Sequence, residues 1–196
     1  MYGENLKRRE RGITMRFYKK EVKLKDGTRC ILRSPEENDA KDMIDYIKMT
    51  SGETHFMVRY PEEVNVTIER EKEIIRDFIE SDNNIMIAAF INGDLAGNAS
   101  VGCGRNNLKI KHRGAFGISI KEEYWNKGIG NLLISEILNA AKEMGLEQVE
   151  LGVYSDNLKA QALYKKHGFE VWGTTKNAYK LKDGTYRDEI MMGIIL

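Results

Sequence analysis

The 196-residue chain has little cysteine: Cys30 and Cys103 stand far apart, with no CxxC spacing. That argues against a disulfide framework and a cysteine zinc site, and makes a reduced cytoplasmic compartment the natural one. Histidine is as scarce. Three scattered residues show no ligand spacing, so no metal is expected. Net charge is nearly absent. The formal value of +1 gives no reason to expect nucleic acid or a membrane surface as partner. No apolar run approaches the length of a membrane span. Lys7-Arg8-Arg9 is followed by Glu10 and Arg11, not by the apolar segment of a signal peptide. The length fits one domain with a sizeable core, expected over residues 21–196. Residues 1–20 are expected to form a mobile tail, most clearly over 1–14.

Apolar spacing and turn residues order the rest. Residues 21–33 read as a hairpin around Asp26-Gly27. Ser34-Pro35-Glu36-Glu37 reads as a helix start, with Ser34 as N-cap and Glu37 as capping-box acid. That helix is expected to run to about Met49, burying Met43, Ile44 and Ile47. Residues 50–66 have no clear period, and an ordered loop of that length is often functional. Thr67 is expected to cap a second helix that buries Ile68, Ile74, Ile75, Phe78 and Ile79. A meander follows: strands over 85–91, 95–104 and 110–120, with Asn92-Gly93 as the first turn. After a helix over 129–144 come a buried strand over 147–153, a short helix over 157–167 ended by Gly168, and a last hairpin around Asp183-Gly184.

The chain is organised around Trp125-Asn126-Lys127-Gly128-Ile129-Gly130-Asn131, which joins the third meander strand to the long helix. A helix start presents backbone N–H groups with no intrahelical partner, and the dipole adds positive charge. Such a start suits a pyrophosphate. Gly128 and Gly130 are expected to let a ligand approach the backbone.

This stretch resembles motif A of the GNAT N-acetyltransferases, Q/R-x-x-G-x-G/A, with Trp125 where the motif has Arg or Gln. A second block resembling the family follows: Val153-Tyr154-Ser155-Asp156-Asn157, then Ala160, Leu163 and Tyr164 through Phe169. The resemblance implies the GNAT fold, an α/β (α+β) fold with a mixed, mostly antiparallel sheet, helices on both faces, and a splay at an acetyl-CoA cleft. It places Phe116, Gly117, Ile118 and Ile120 on the edge that the pantetheine arm would line. Backbone N–H groups near Gly117 and Ile118 would polarise the thioester. Residues Trp125, Asn126, Lys127, Gly128, Ile129, Gly130 and Asn131 would hold the pyrophosphate. Asn157 matches the asparagine that binds the pantetheine arm, and a helix cap is its other role. Tyr164 matches the tyrosine that serves as general acid.

The implied activity is direct, acetyl-CoA-dependent N-acetylation of a small primary amine, with no metal. The base is open between Glu53, His55, His112 and a water chain, with Glu53 first. An α-amine costs about 1 kcal/mol to deprotonate at pH 7 and a lysine about 4.6 kcal/mol, which favours an amino acid or a peptide N-terminus. Arg59 is a candidate partner for an acceptor carboxylate. Ribosomal-protein, polyamine or antibiotic amines, a non-catalytic CoA-binding module, and a domain without CoA are the alternatives. The basic group Arg105, Lys109, Lys111, His112 and Arg113 reads as a solvated turn, or as a contact for an acidic acceptor or the CoA 3′-phosphate. A homodimer is left open.

Overall fold

The computed structural model describes residues 15–104 and 107–196; the expectations placed on 1–14, Arg105 and Asn106 lie outside them. The elements are β1 (Lys20–Lys23), β2 (Arg29–Arg33), α1 (Ala40–Glu53), α2 (Ile68–Glu80), β3 (Asn84–Ile91), β4 (Asp94–Gly102), β5 (Arg113–Ile120), α3 (Ile129–Glu143), β6 (Gln148–Tyr154), α4 (Leu158–Lys166), β7 (Glu170–Lys180) and β8 (Tyr186–Ile195). They build one eight-stranded sheet in the order β1-β2-β3-β4-β5-β6-β8-β7. Every neighbouring pair is antiparallel except β5 with β6. The expected mixed sheet with helices is therefore present.

Central strand β3 shows why the sheet is covered on both faces. Side chains alternate along a strand. Ile85, Ile87 and Ala89 pack with α3 residues Ile129, Leu133, Ile134 and Ile137. Met86, Ala88 and Phe90 pack with Met43 and Tyr46 of α1 and Ile75 of α2. Burial on two sides explains why β3 is an unbroken apolar run and not an alternating one.

Several boundaries differ from expectation, among them the start of β5 at Arg113 and not at 110. Residues 15–20 do not belong to a tail. Met15 and Phe17 are core residues, 5% and 2% exposed, and Lys20 opens β1. Their backbone is held as well: Met15 N–H donates to Ser81 O (2.9 Å) and Ser34 N–H to Phe17 O (2.9 Å). Ser34, in turn, is not a helix cap. Its hydroxyl is buried, accepts from Phe17 N–H (3.0 Å) and donates to Met86 O (2.9 Å). The helix start moves onward to a single 3-10 turn at Glu37–Asp39, where Asp39 accepts from Glu36 N–H and pairs with Arg33. Replacing Ser34 by Ala should strand a buried donor and a buried acceptor together, costing about 1–3 kcal/mol. Urea unfolding measures this; an unchanged midpoint would show that the hydroxyl only fills space.

Helix α1 runs on to Glu53 instead of ending near Met49, which takes Glu53 out of the following loop. Thr67 caps α2 as expected, accepting from Arg70 N–H at 3.2 Å. Ile68, one step inside, is exposed and not on the buried side.

The feature that makes a site is the break between β5 and β6. They pair only at Arg113–Gln148, Gly114–Val149 and Ala115–Glu150. Beyond that, β5 stays paired with β4 as far as Ile120, and β6 with β8 as far as Tyr154. The two inner edges therefore part. An aromatic trio lies at the break: the Phe116 ring meets Tyr164 edge-on, with centroids 6.1 Å apart, and both contact Phe169.

Candidate active site

A groove of about 510 Å³ occupies the break, and its walls come from distant parts of the chain. One wall is β5 from Phe116 to Ile120. The Lys121 N–H donates to Ala96 O on β4 at 3.0 Å. Backbone groups alternate sides along a strand, so Ser119 and Gly117 also face β4, while Ile118 and Ile120 face the break. The Ile120 carbonyl accepts from the Trp125 indole N–H at 2.8 Å. Ile118 is left with its backbone groups toward the groove. Of the two N–H groups expected to meet a thioester, the alternation supports Ile118 and turns Gly117 away. Gly117 leaves open space where a side chain would be.

At one end the groove meets the start of α3. Asn126 and Gly128 both have positive φ, 62° and 91°, and this turns the chain sharply into the helix. A Cβ on Gly128 would point into open space, so bareness there leaves room for a ligand. Gly130 has a different reason. Its Cβ would lie 2.9 Å from the Leu163 side chain, so this glycine, which also lines the groove, lets α3 pack on α4. Ile129 has its side chain in the core, and only its backbone can face an anion. The Asn131 amide oxygen accepts from His167 Nε2 at 3.2 Å, tying α4 to the start of α3.

Cations gather at this end. Lys159 lies over the Trp125 ring, 4.7 Å from its centroid, and Lys127 over Tyr124 at 5.2 Å. Lys25, from the β1–β2 turn, also lines the groove. Trp125 thus fills the position of the motif's Arg or Gln as a platform: it pins the β5 end and carries a lysine. Lys25 and Lys159 were not among the expected residues. Lys25 sits in a distant hairpin with nothing to mark it, whereas Lys159 follows Asn157 by two positions and had a local signal.

Tyr164 of α4 lies at the break, and burial pushes its phenol up to about 12. Its hydroxyl makes no hydrogen bond with a described residue. Asn157 does cap α4, accepting from Ala160 N–H at 3.1 Å, and also lines the groove.

The opposite end carries Glu53, Phe56, Met57 and Val58 on one side and Tyr154 and Tyr179 on the other. Glu53 accepts from Glu122 N–H at 2.9 Å through one carboxylate oxygen. Tyr154 and Tyr179 are stacked, with centroids 3.9 Å apart, and the Tyr179 hydroxyl donates to Glu189 at 2.5 Å. Burial, with that carboxylate beside it, pushes the Tyr179 phenol up. The loop after α1 is tied down across the groove. His55 meets Asp156 at 2.9 Å, Tyr60 accepts from Lys182 N–H at 2.9 Å, and Lys182 pairs with Glu62. Burial works against the Asp156 charge, yet hydrogen bonds from His55 and Arg187 hold its carboxyl below the ordinary range.

Several expected residues stand elsewhere. His55 is turned to Asp156 and does not line the groove; His112 is absent from the lining too. Arg59 is exposed and outside the groove, where it opposes the burial that raises the Glu71 carboxyl. Lys109, Lys111 and Arg113 of the basic group lie outside the lining, and Arg113 pairs with Glu150 at 2.6 Å. No group of three or more metal-ligating side chains occurs among the described residues, and no helix there is long and apolar enough to cross a membrane.

A bare strand edge, an open helix start flanked by lysines and an asparagine between them fit an extended thioester carrying a pyrophosphate. The comparisons agree with that geometry. An L-amino acid N-acetyltransferase, AaaT, of Escherichia coli (strain K12) is 32% identical over 107 residues. That match covers 54% of this chain and 65% of the relative, just under two thirds of its length. The crystal structure of an acetyltransferase of the GNAT family from Streptococcus pneumoniae superposes with a TM-score of 0.82 at 29% identity, covering 85% of this chain and 99% of the other. A phosphinothricin acetyltransferase from Sinorhizobium meliloti, solved in complex with acetyl-CoA, shares the fold with a TM-score of 0.73 at 20% identity, covering 89% of each chain. The model of the Acetyltransferase (GNAT) family matches residues 49–169, a span that holds both walls of the groove, the start of α3 and Tyr164. On that match, the chain belongs to the GNAT acetyltransferase family.

Proposed function

We propose that the protein transfers an acetyl group from acetyl-CoA directly to a small primary amine in the cytoplasm. The observation that carries this reading is the break between β5 and β6, which opens onto the uncapped N–H groups of α3. Bound acetyl-CoA would supply an acetyl group already activated as a thioester. The first-turn N–H groups of α3, with Lys25 and Lys159, would hold its phosphates, whereas Lys127 lies outside the groove lining, over Tyr124. Ile118 N–H aims a dipole at the charge that develops on a carbonyl oxygen. Asn157 orients the pantetheine arm with whatever capacity its cap leaves. Tyr164, protonated at working pH, donates to the departing sulfur. Glu53 keeps one oxygen for the amine.

A panel of small primary amines incubated with acetyl-CoA, following thiol release, tests the reading. Release well above the background hydrolysis is expected for at least one amine class. Acetyl-CoA bound in calorimetry with no release on any amine would overturn transfer and leave a CoA-binding module.

A further inference from the structure

The acceptor end of the groove differs in charge from the phosphate end. The groove's lysines are Lys25 and Lys159: Lys159 lies over Trp125 at the α3 side, and Lys25 belongs to the β1–β2 turn, whose Asp26 feels the charge of Lys127. Among the described residues, no Lys or Arg lines the acceptor end. The nearby arginines have other duties. Arg187 is held by Asp156 at 2.9 Å, and Arg59 stands outside, near buried Glu71. What the acceptor end does carry is negative or aromatic. One oxygen of Glu53 is taken by Glu122 N–H, which fixes the carboxylate and leaves the other oxygen without a donor among the described residues. Glu189 lies directly over Gly152, a lining residue, and would clash with any Cβ there at 2.1 Å. Phe56, Tyr154 and Tyr179 supply ring surface, and Met57 and Val58 complete an apolar wall.

We propose that the acceptor is a primary amine with an apolar or aromatic body and no carboxylate beside the nitrogen, so that free amino acids are poor substrates. This rests on the acetyl-transfer reading above. An ammonium group is attracted by Glu53 and by ring faces. A carboxylate one carbon away meets the same field with the opposite sign and finds no cation to pair with, so it is selected against. Two sources offer the required chemistry: a small arylalkylamine, and the first residue of a peptide, whose carboxyl is an amide.

The test compares phenylalanine with phenylalaninamide, and leucine with leucinamide. Phenethylamine and a Phe-Gly-Gly amide separate the two sources. kcat/KM is read on the pH plateau where each amine is neutral, so that differences in amine pKa drop out. Each amide should exceed its free acid by at least about tenfold, the size of one lost like-charge contact. Met57→Arg adds a cation to the wall and should narrow that gap by improving the free acids. Free acids as good as their amides would overturn the proposal while acetyl transfer stands. Thiol release with none of these amines, when other amine classes do release it, would overturn the proposal as well. Release with no amine of any class would instead overturn acetyl transfer.

Discussion

Tyr164→Phe should bind acetyl-CoA as the parent does and turn over about 10² to 10⁴ times more slowly. The side chain is buried against Phe116 and Phe169, and Phe preserves that packing. Only the hydroxyl is lost, and it has no described partner whose bond would break. Burial alone pushes this phenol up to about 12. A thiol near 8.5 is the stronger acid, so Tyr164 does not give up its proton to sulfur in a free-standing step. On the proposed reading it would stabilise the departing sulfur through a hydrogen bond, the proton following as the amine's proton is passed on. The activity should therefore rise with pH through the pKa of the amine, and Tyr164 should add no falling limb below about 12. kcat at saturating acetyl-CoA is the quantity to measure. A parent-like kcat would reduce Tyr164 to a packing residue.

Gly128→Asp should weaken acetyl-CoA binding by several kcal/mol, on the order of 10² or more in Kd. Position 128 opens onto the groove, so the new carboxylate stands where the phosphates would lie. Its φ of 91° adds strain for any side chain, but Asp is among the residues that visit this region most readily. The fold should survive. Gly130→Asp gives the contrast. There the new side chain runs into Leu163 and Ile120, and the loss should appear first in stability. Calorimetry on the folded variants and thermal unfolding together separate the two cases. If Gly128→Asp leaves Kd unchanged, the phosphates are held somewhere else.

These contrasts show what was readable in the chain. Strand β5, the glycine loop, α3, β6 and α4 follow one another within the family's matched span. Each is set by local signals: apolar runs, glycines, an Asn cap. Their meeting was therefore legible from spacing and resemblance. Gly128 and Gly130 look alike in sequence; the left-handed φ of Gly128 and the closeness of Leu163 and Ile120 to Gly130 tell them apart. The acceptor end was the least legible. Tyr60 meets Lys182 across 122 positions, and His55 meets Asp156 across 101. No local pattern encodes such contacts. Arg59 illustrates the failure: it neighbours the right residues in sequence but faces Glu71 in space. The short Met15–Phe17 alternation was lost among charged neighbours, although both side chains enter the core.

A sheet usually gains stiffness by sharing hydrogen bonds along the full length of every strand. Here two half-sheets, β1 to β5 and β6 to β8 with β7, share only three residue pairs. The seam is thus the most sparsely paired line in the sheet, and it is also the line a ligand would occupy. A molecule lying between the two inner edges takes the place of the missing strand contact and splints the halves together. Affinity and mechanical rigidity then become two readings of one free energy. Raising ligand to about 100 times Kd adds about 2.7 kcal/mol to the stability of the folded chain. Much of that gain would fall on the opening of the seam.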